Sequence, residues 1–282
     1  MEDMHQSEDN HLIPMTSVSA GKGREVAPDV FYYTNQIVNV IFVGEPFGPW
    51  VMIDAGMPLS GPTLVEVAEQ RFGKDNPPSA IILTHGHFDH IGGIVHLTET
   101  WPGVPVYAHL FEFPFLTGEL DYPKPDPGVE GGGMLAKISF IYPHKAIDIK
   151  HVLQPLPADY SVPYLDGWEW LHTPGHSPGH TSFYRDSDQL LIAGDAFVTV
   201  EADAMYKVLV QKEEVKGPPV YLTTNWDAAR ESVRLLARLD PQIAITGHGS
   251  HMQGTELRSG LELLAKNFDV VAKPKYGKYV DE

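Results

Sequence analysis

A short run of metal-ligating side chains constrains this chain more than any other feature. Residues 84–90 read Thr-His-Gly-His-Phe-Asp-His and follow an Ala-Ile-Ile-Leu run, which is typical of a buried strand. Residues i and i+2 of an extended backbone project to the same side, so His85 and His87 can grip one ion. Asp89 and His90 lie on the turn that follows and can bind a second ion. The pattern predicts a catalytic metal centre at the end of a strand.

The charge balance argues against two classes of partner. The 282-residue chain carries 20 Lys and Arg against 37 Asp and Glu, which gives a formal net charge of −17. A surface this acidic repels the phosphate backbone of nucleic acids and the headgroups of anionic lipids. The basic residues are scattered rather than gathered in a patch. We therefore expect a small-molecule substrate, and neither a nucleic-acid nor a membrane partner.

The absence of cysteine narrows the chemistry further. Disulfides, thiolate ligands and a cysteine nucleophile are excluded, so nitrogen and oxygen atoms would hold any metal. Residues 1–10 lack the basic start and the apolar core of a secretory signal. No apolar run approaches the length of a membrane span. These features predict a cytoplasmic protein.

Hydrophobic periodicity predicts one elaborated α/β domain over residues 29–282, preceded by a flexible polar leader over residues 1–28. Strands are expected over residues 30–33, 37–43, 50–54, 80–84, 104–107, 168–172, 181–184, 190–193 and 242–246. Helices are expected over residues 61–72, with Ser60 as the cap, and over 94–101, 227–239 and 255–268. Strands that end near a His or Asp occur in both halves, which indicates an internal pseudo-duplication.

Two segments interrupt this order. Residues 111–150 are rich in aromatic residues, Pro and Gly and show little periodicity. They either shape a substrate pocket over the site or pack as a structural insertion. Residues 200–221 form a second excursion.

Three later segments place a His or Asp in a Gly-flanked turn after a strand. They are His-Thr-Pro-Gly-His-Ser-Pro-Gly-His over 172–180, Ala-Gly-Asp-Ala over 193–196 and Thr-Gly-His-Gly over 246–249. With the opening His-Gly-His-Phe-Asp-His, this ordered set resembles the metallo-β-lactamase superfamily of metallo-hydrolases, from about residue 31 to residue 248. The resemblance implies an α/β fold of the four-layered αβ/βα sandwich type.

The resemblance also implies a centre of two divalent metal ions. Zinc is the expected metal, with iron and manganese as alternatives. The family has three ligands at the first ion, three at the second and one bridging carboxylate. In this chain they match, in that order, His85, His87 and His176, then Asp89, His90 and His248, and then Asp195.

Asp54 and several further histidines fall outside this ligand set. Asp54 matches a family aspartate that supports the histidine loop, and His180 matches a position usually outside the set. We expect His172 and His180 to be supporting or packing groups. His96, His109, His144 and His151 are explained as ordinary polar or partly buried residues.

The function implied is that of a metal-dependent hydrolase in which a metal-bound hydroxide cleaves an ester-like bond, such as a thioester, lactone or aryl ester. Asp89 would serve as a catalytic group that passes a proton to the leaving group. Two alternatives stay open: a phosphotriesterase-like hydrolase, and an iron oxidoreductase of the persulfide dioxygenase type that uses the first site alone. Val198 stands where acyl-homoserine lactonases carry a tyrosine, which argues against that lactonase activity.

Overall fold

Runs of β-branched and apolar residues produce two mixed β-sheets in this chain. The computed structural model describes residues 4–199 and 214–280. The chain divides into a first unit of residues 1–122 with 143–166, and a second unit of residues 123–142 with 167–282. Each predicted strand and helix outside the two excursions has a counterpart, within a few residues at its ends.

The first sheet has seven strands in the order β1 to β7. They are β1 Gly23–Ala27, β2 Val30–Asn35, β3 Val38–Val43, β4 Val51–Ile53, β5 Ala80–Ile82, β6 Val106–Ala108 and β7 Leu153–Pro155. Strands β1 to β4 pair antiparallel, and β4 to β7 pair parallel. Every residue of β3, β4 and β5 is buried, which explains their apolar runs without alternation.

Helices cover this sheet and complete the core of the first unit. They are α1 Gly61–Phe72, α2 Phe88–Ile91, α3 Ile94–Thr100 and α4 Phe113–Leu116. Phe72 at the end of α1 stacks on Trp50 with ring centroids 4.3 Å apart. Ser60 occupies the cap position of α1 without a side-chain cap bond. Its hydroxyl instead donates to the carbonyl of Ala55 at 3.1 Å, so Ser60 holds the predicted cap position without forming a capping hydrogen bond.

The second sheet has the order β13-β12-β11-β10-β9-β8. Its strands are β8 Ser161–Val162, β9 Leu165–His172, β10 Thr181–Arg185, β11 Leu190–Gly194, β12 Ile243–Thr246 and β13 Met252–Gln253. Strands β11 and β12 pair parallel, and the pairs on either side are antiparallel. The described residues contain three further α-helices: α5 Gly133–Ile138, α6 Trp226–Arg238 and α7 Gly254–Val271. The Asn225 side chain caps α6 by accepting from the Ala228 N–H at 2.9 Å.

The N-terminal stretch predicted to be a flexible leader makes ordered contacts. Strand β1 lies within it and pairs with β2, and the side chain of Ile13 is buried. His5 and Asp148 exchange two backbone hydrogen bonds of 3.0 and 2.9 Å. These bonds join residues far apart in sequence, so no local pattern marks them. A single domain over residues 29–282 stays a prediction.

Two further predictions meet the structure in part. Most of the second excursion, residues 200–213, lies outside the described residues. The first excursion contains α4, α5 and two short 3₁₀ turns at Leu110–Glu112 and Ser139–Ile141. Within the described ranges, no helix combines the length and apolar character needed to cross a membrane.

The aromatic stack of the first unit predicts a large stability effect. Replacing Phe72 with Ala removes a side chain that is 1% exposed and leaves a cavity beside Trp50. We expect the free energy of unfolding to fall by about 3–5 kcal/mol in urea denaturation. Phe140→Ala is the matched control because Phe140 is 73% exposed, and a similar loss in both variants would contradict this account of the core.

Candidate metal centre

The predicted ligands form two sets, one in each unit of the chain. The first set lies on a loop after β5 in the first unit. Strands β4 and β5 run parallel, so their carboxyl ends meet at one edge of the sheet. The Asp54 N–H, directly after β4, donates to the carbonyl of Ile82 at 2.9 Å. The histidine loop, residues 85–90, starts at the same edge and continues into α2. The side chains that it carries there are buried, namely His85, His87, Asp89 and His90.

Asp54 ties this loop to the neighbouring strand. Its backbone has a φ of 64°, a left-handed conformation that Asp adopts more readily than most residues. Its carboxylate accepts from the Thr84 N–H at 2.8 Å, from the Thr84 hydroxyl at 2.8 Å and from His90 Nδ1 at 2.7 Å. The predicted support of the histidine loop by Asp54 is therefore confirmed.

These hydrogen bonds assign the tautomers of two histidines. Because the carboxylate of Asp54 only accepts, His90 Nδ1 carries the proton. The Thr84 hydroxyl donates to Asp54, so it accepts from His85 Nδ1, which lies 3.0 Å away. Both rings therefore keep the lone pair of Nε2 for a ligand role.

The rings of this loop lie close together. The centroids of His85 and His87 are 4.7 Å apart, and those of His85 and His90 are 4.1 Å apart. Asp89 Oδ2 lies 4.0 Å from His90 Nε2. Buried imidazoles and a buried carboxylate in such a group are costly unless hydrogen bonds or a cation compensate them.

The second set of predicted ligands repeats this placement in the second unit. Strands β11 and β12 are parallel, with Gly194 paired to Thr246. Asp195 and His248 follow the carboxyl ends of these strands. The Gly247 N–H donates to the carbonyl of Gly194 at 2.9 Å, which holds the two turns side by side.

Asp195 is the meeting point of the second set. Its Oδ2 lies 3.4 Å from Nε2 of His176 and 3.3 Å from Nε2 of His248. His176 Nδ1 lies 3.1 Å from the Thr223 hydroxyl, which itself donates to the carbonyl of Pro219 at 2.7 Å. His176 Nδ1 is therefore the donor, and its Nε2 presents a lone pair towards a carboxylate oxygen.

His180 supports Asp195 from behind. The Asp195 N–H donates to His180 Nε2 at 2.8 Å, so His180 Nδ1 carries the proton and donates to the Thr173 hydroxyl at 2.9 Å. This series of hydrogen bonds continues from the Thr173 hydroxyl to the Ser182 hydroxyl and ends on the carbonyl of Ala193, with both distances 2.9 Å. Its Nε2 is committed to this bond, so His180 lies outside the ligand set, as predicted.

Both sets fit a divalent cation. In the second unit the Nε2 atoms of His176 and His248 lie 3.4 and 3.3 Å from one carboxylate oxygen of Asp195. Two ligands at about 2.05 Å from one ion, at a tetrahedral angle, lie about 3.3 Å apart. The seven predicted side chains all belong to groups of His and Asp atoms that could hold a metal ion. Nitrogen and oxygen donors without thiolates suit zinc, iron and manganese.

Comparison with known proteins identifies the family of this chain. The profile of the metallo-beta-lactamase superfamily matches residues 33–248. This chain belongs to that superfamily. It is 48% identical over 261 residues to the probable metallo-hydrolase YflN of Bacillus subtilis (strain 168), covering 92% of this chain and 98% of the relative. The predicted family and its hydrolytic class are confirmed.

Solved structures agree on the fold. The di-iron-bound form of TTHA1623 matches with a TM-score of 0.52 and 26% identity, over 81% of this chain and 92% of that one. The B3 metallo-beta-lactamase BLEG-1 matches with a TM-score of 0.54 and 20% identity, over 93% and 99%. The predicted metallo-β-lactamase fold is confirmed.

The structure adds supporting residues that the sequence did not reveal. Thr223 fixes His176 from 47 positions away. The buried residues Glu112 and Tyr122, in the first excursion, both accept a hydrogen bond from the Gly86 N–H. The sequence signal for the contacts of Gly86 is the acidic residue Glu112 within the aromatic run Leu-Phe-Glu-Phe-Pro-Phe.

The bonds around Asp54 predict a loss of metal affinity on substitution. In Asp54→Asn an amide N–H would replace one carboxylate oxygen and face either the Nδ1–H of His90 or the N–H of Thr84, so one of the bonds that hold the histidine loop would be lost. We expect metal affinity, measured by competition with a chelator, to fall about 10–100-fold. Asp75→Asn is the matched control because Asp75 is exposed and has a φ of 59°. Equal affinities in both variants would show that Asp54 does not orient the ligand.

Proposed function

We propose that the two ligand sets form one binuclear centre of a hydrolase that cleaves ester-like bonds. The placement of Asp195 carries this proposal. One of its oxygens lies within 3.4 Å of Nε2 of both His176 and His248, which are assigned to different ions. A carboxylate that contacts a ligand of each ion is what a bridging role requires. Membership of the superfamily supports the same assignment for the histidine loop.

The chemistry follows from this donor set. Two divalent ions would lower the pKa of a shared water towards neutrality and polarise the acyl oxygen of the substrate. His85, His90 and His176 would hold their Nε2 atoms towards the ions because their Nδ1–H groups are fixed. Asp89 would accept the proton that the attacking water gives up and pass it to the leaving group, so we assign it the catalytic role.

The substrate is proposed to be a small molecule with an apolar portion. The acidic chain, with a net charge of −17, disfavours nucleic-acid and membrane surfaces. Strand β6 runs parallel to β5, so the residues after β6 lie at the same sheet edge as the histidine loop. Leu110 and Phe111 occupy that place and are 59% and 58% exposed. They offer an apolar surface to an acyl chain or an aryl group.

Zinc is our first choice of metal, because nitrogen and oxygen ligands of this type suit it. Iron and manganese are the alternatives, and iron has support from TTHA1623, which was solved in a di-iron-bound form. A cytoplasmic location stays a prediction.

Metal removal and loss of Asp195 should have the same effect on activity. We expect chelation to abolish hydrolysis and added zinc to restore it. Asp195→Ala should lower kcat/KM by about a thousandfold or more, because bound metal contributes several kcal/mol to transition-state stabilisation. The measurement pairs metal analysis with a panel of thioesters, lactones, aryl esters, phosphotriesters and β-lactams. Asp186→Ala, on an exposed turn, is the control.

Three results would contradict the proposal. Undiminished hydrolysis by metal-free protein would exclude metal-assisted chemistry. Full turnover by Asp195→Ala would show that the bridging role is misassigned. Oxygen consumption by an iron-loaded protein that hydrolyses no substrate would favour the persulfide dioxygenase alternative.

The apolar surface after β6 predicts a change in specificity. Phe111→Ser should raise KM for long-chain acyl or aryl esters several-fold, while acetyl esters keep their KM and kcat. The reason is that burial of apolar surface contributes roughly 25 cal/mol per Å². Phe47→Ser is the matched control, since Phe47 is 77% exposed and precedes β4, at the opposite edge of the sheet. An unchanged ratio of long-chain to acetyl ester KM would refute this assignment.

A further inference from the structure

A buried acid and a buried tyrosine meet at the glycine between two predicted metal ligands. Glu112 is fully buried, and Tyr122 is 5% exposed. The Gly86 N–H donates to Glu112 Oε2 at 3.0 Å and to Tyr122 Oη at 2.9 Å. The Tyr122 hydroxyl in turn donates to Glu112 Oε2. Three groups therefore share one closed set of hydrogen bonds.

The protonation of this set is defined by its surroundings. Burial, and then the neighbouring charge of Glu112, raise the pKa of Tyr122 well above its usual value. Tyr122 is therefore a phenol at neutral pH, and it can donate to Glu112 while it accepts from Gly86. A buried carboxyl that receives two such donors is compensated for its loss of hydration.

Packing joins this set to the ligand rings. The ring of Tyr122 lies 4.7 Å from the ring of His87, centroid to centroid, and it stacks on Phe115 at 4.0 Å. A Cβ added at Gly86 would lie 2.5 Å from Tyr122 Oη and 3.1 Å from Leu116 Cδ2. Glycine is thus required at position 86 by the close approach of the tyrosine hydroxyl.

We propose that Glu112 and Tyr122 are a positioning pair for the first metal site. By fixing the peptide N–H of Gly86, they set the directions in which His85 and His87 project. The ring of Tyr122 also limits the rotation of His87. This role rests on the proposed function, because it requires that both histidines bind metal. The positioning role would give part of the first excursion, residues 111–150, a function at the metal centre.

The pair can be tested with conservative variants. Glu112→Gln and Tyr122→Phe should each weaken one of the two metal-binding steps about 10–100-fold in chelator competition, and leave the other within twofold. The absorption spectrum of the cobalt-substituted protein should also change, because it reports ligand geometry. Tyr142→Phe is the matched control: Tyr142 is buried, and its hydroxyl donates to the carbonyl of Leu135 at 3.3 Å. This control should lose thermal stability without a change in metal affinity or spectrum.

A double variant separates positioning from general stability. Gly86→Ala should weaken the same binding step at least tenfold because its Cβ collides with Tyr122 Oη. As a single variant, Tyr122→Phe should weaken metal binding. In the Gly86→Ala background the same substitution should restore at least part of the affinity, because it removes the colliding oxygen. Such a reversal of sign is not expected from two independent losses of stability.

The outcomes distinguish this inference from the proposed function. A wild-type protein that binds no metal would overturn both. A wild-type protein that binds two ions, with Glu112→Gln and Tyr122→Phe matching its affinities and cobalt spectrum, would overturn only the positioning pair. Failure of Tyr122→Phe to rescue Gly86→Ala would likewise count against it.

Discussion

The contact of Asp54 with Thr84 and His90 is the interaction on which the first ligand set depends. It joins the end of β4 to the start and the end of the histidine loop, through a carboxylate that is 1% exposed. Burying that charge is costly, and three hydrogen bonds offset the cost. The same bonds decide which nitrogen of His90 and of His85 is protonated. A single residue thus couples sheet geometry to ligand chemistry.

In the second unit the candidate ligands are oriented by a different kind of hydrogen-bond partner. Asp195 and His248 again follow a pair of parallel strands, but the support comes from neutral groups. His180 holds the backbone of Asp195, and Thr223 holds the ring of His176. Because the carboxylate of Asp195 itself faces two imidazoles, a second charge behind it would add repulsion. Hydroxyl and imidazole partners orient these ligands without that charge.

Much of this could be predicted from sequence, for a physical reason. Strands β4, β5, β11 and β12 are apolar runs that end in turn residues, so the pattern locates the strands and the candidate ligands that follow them. Contacts between distant residues leave no such mark. The bond between Gly86 and Glu112 spans 26 positions, and β1 pairs with β2 although its own sequence is polar. The unused cap of Ser60 shows that a local rule yields when a better partner is near.

The residues around the predicted metal ligands bear on the proposed substrate. Val198 is 1% exposed and exchanges backbone hydrogen bonds of 3.0 and 2.8 Å with Lys216. Its side chain is thus an apolar core group, where acyl-homoserine lactonases carry a tyrosine. A hydroxyl for substrate binding would have to come from another position. In the first unit the apolar residues after β6 face solvent at the edge that carries the histidine loop. The first excursion therefore contains both the proposed positioning pair, Glu112 and Tyr122, and the proposed substrate contact, Phe111.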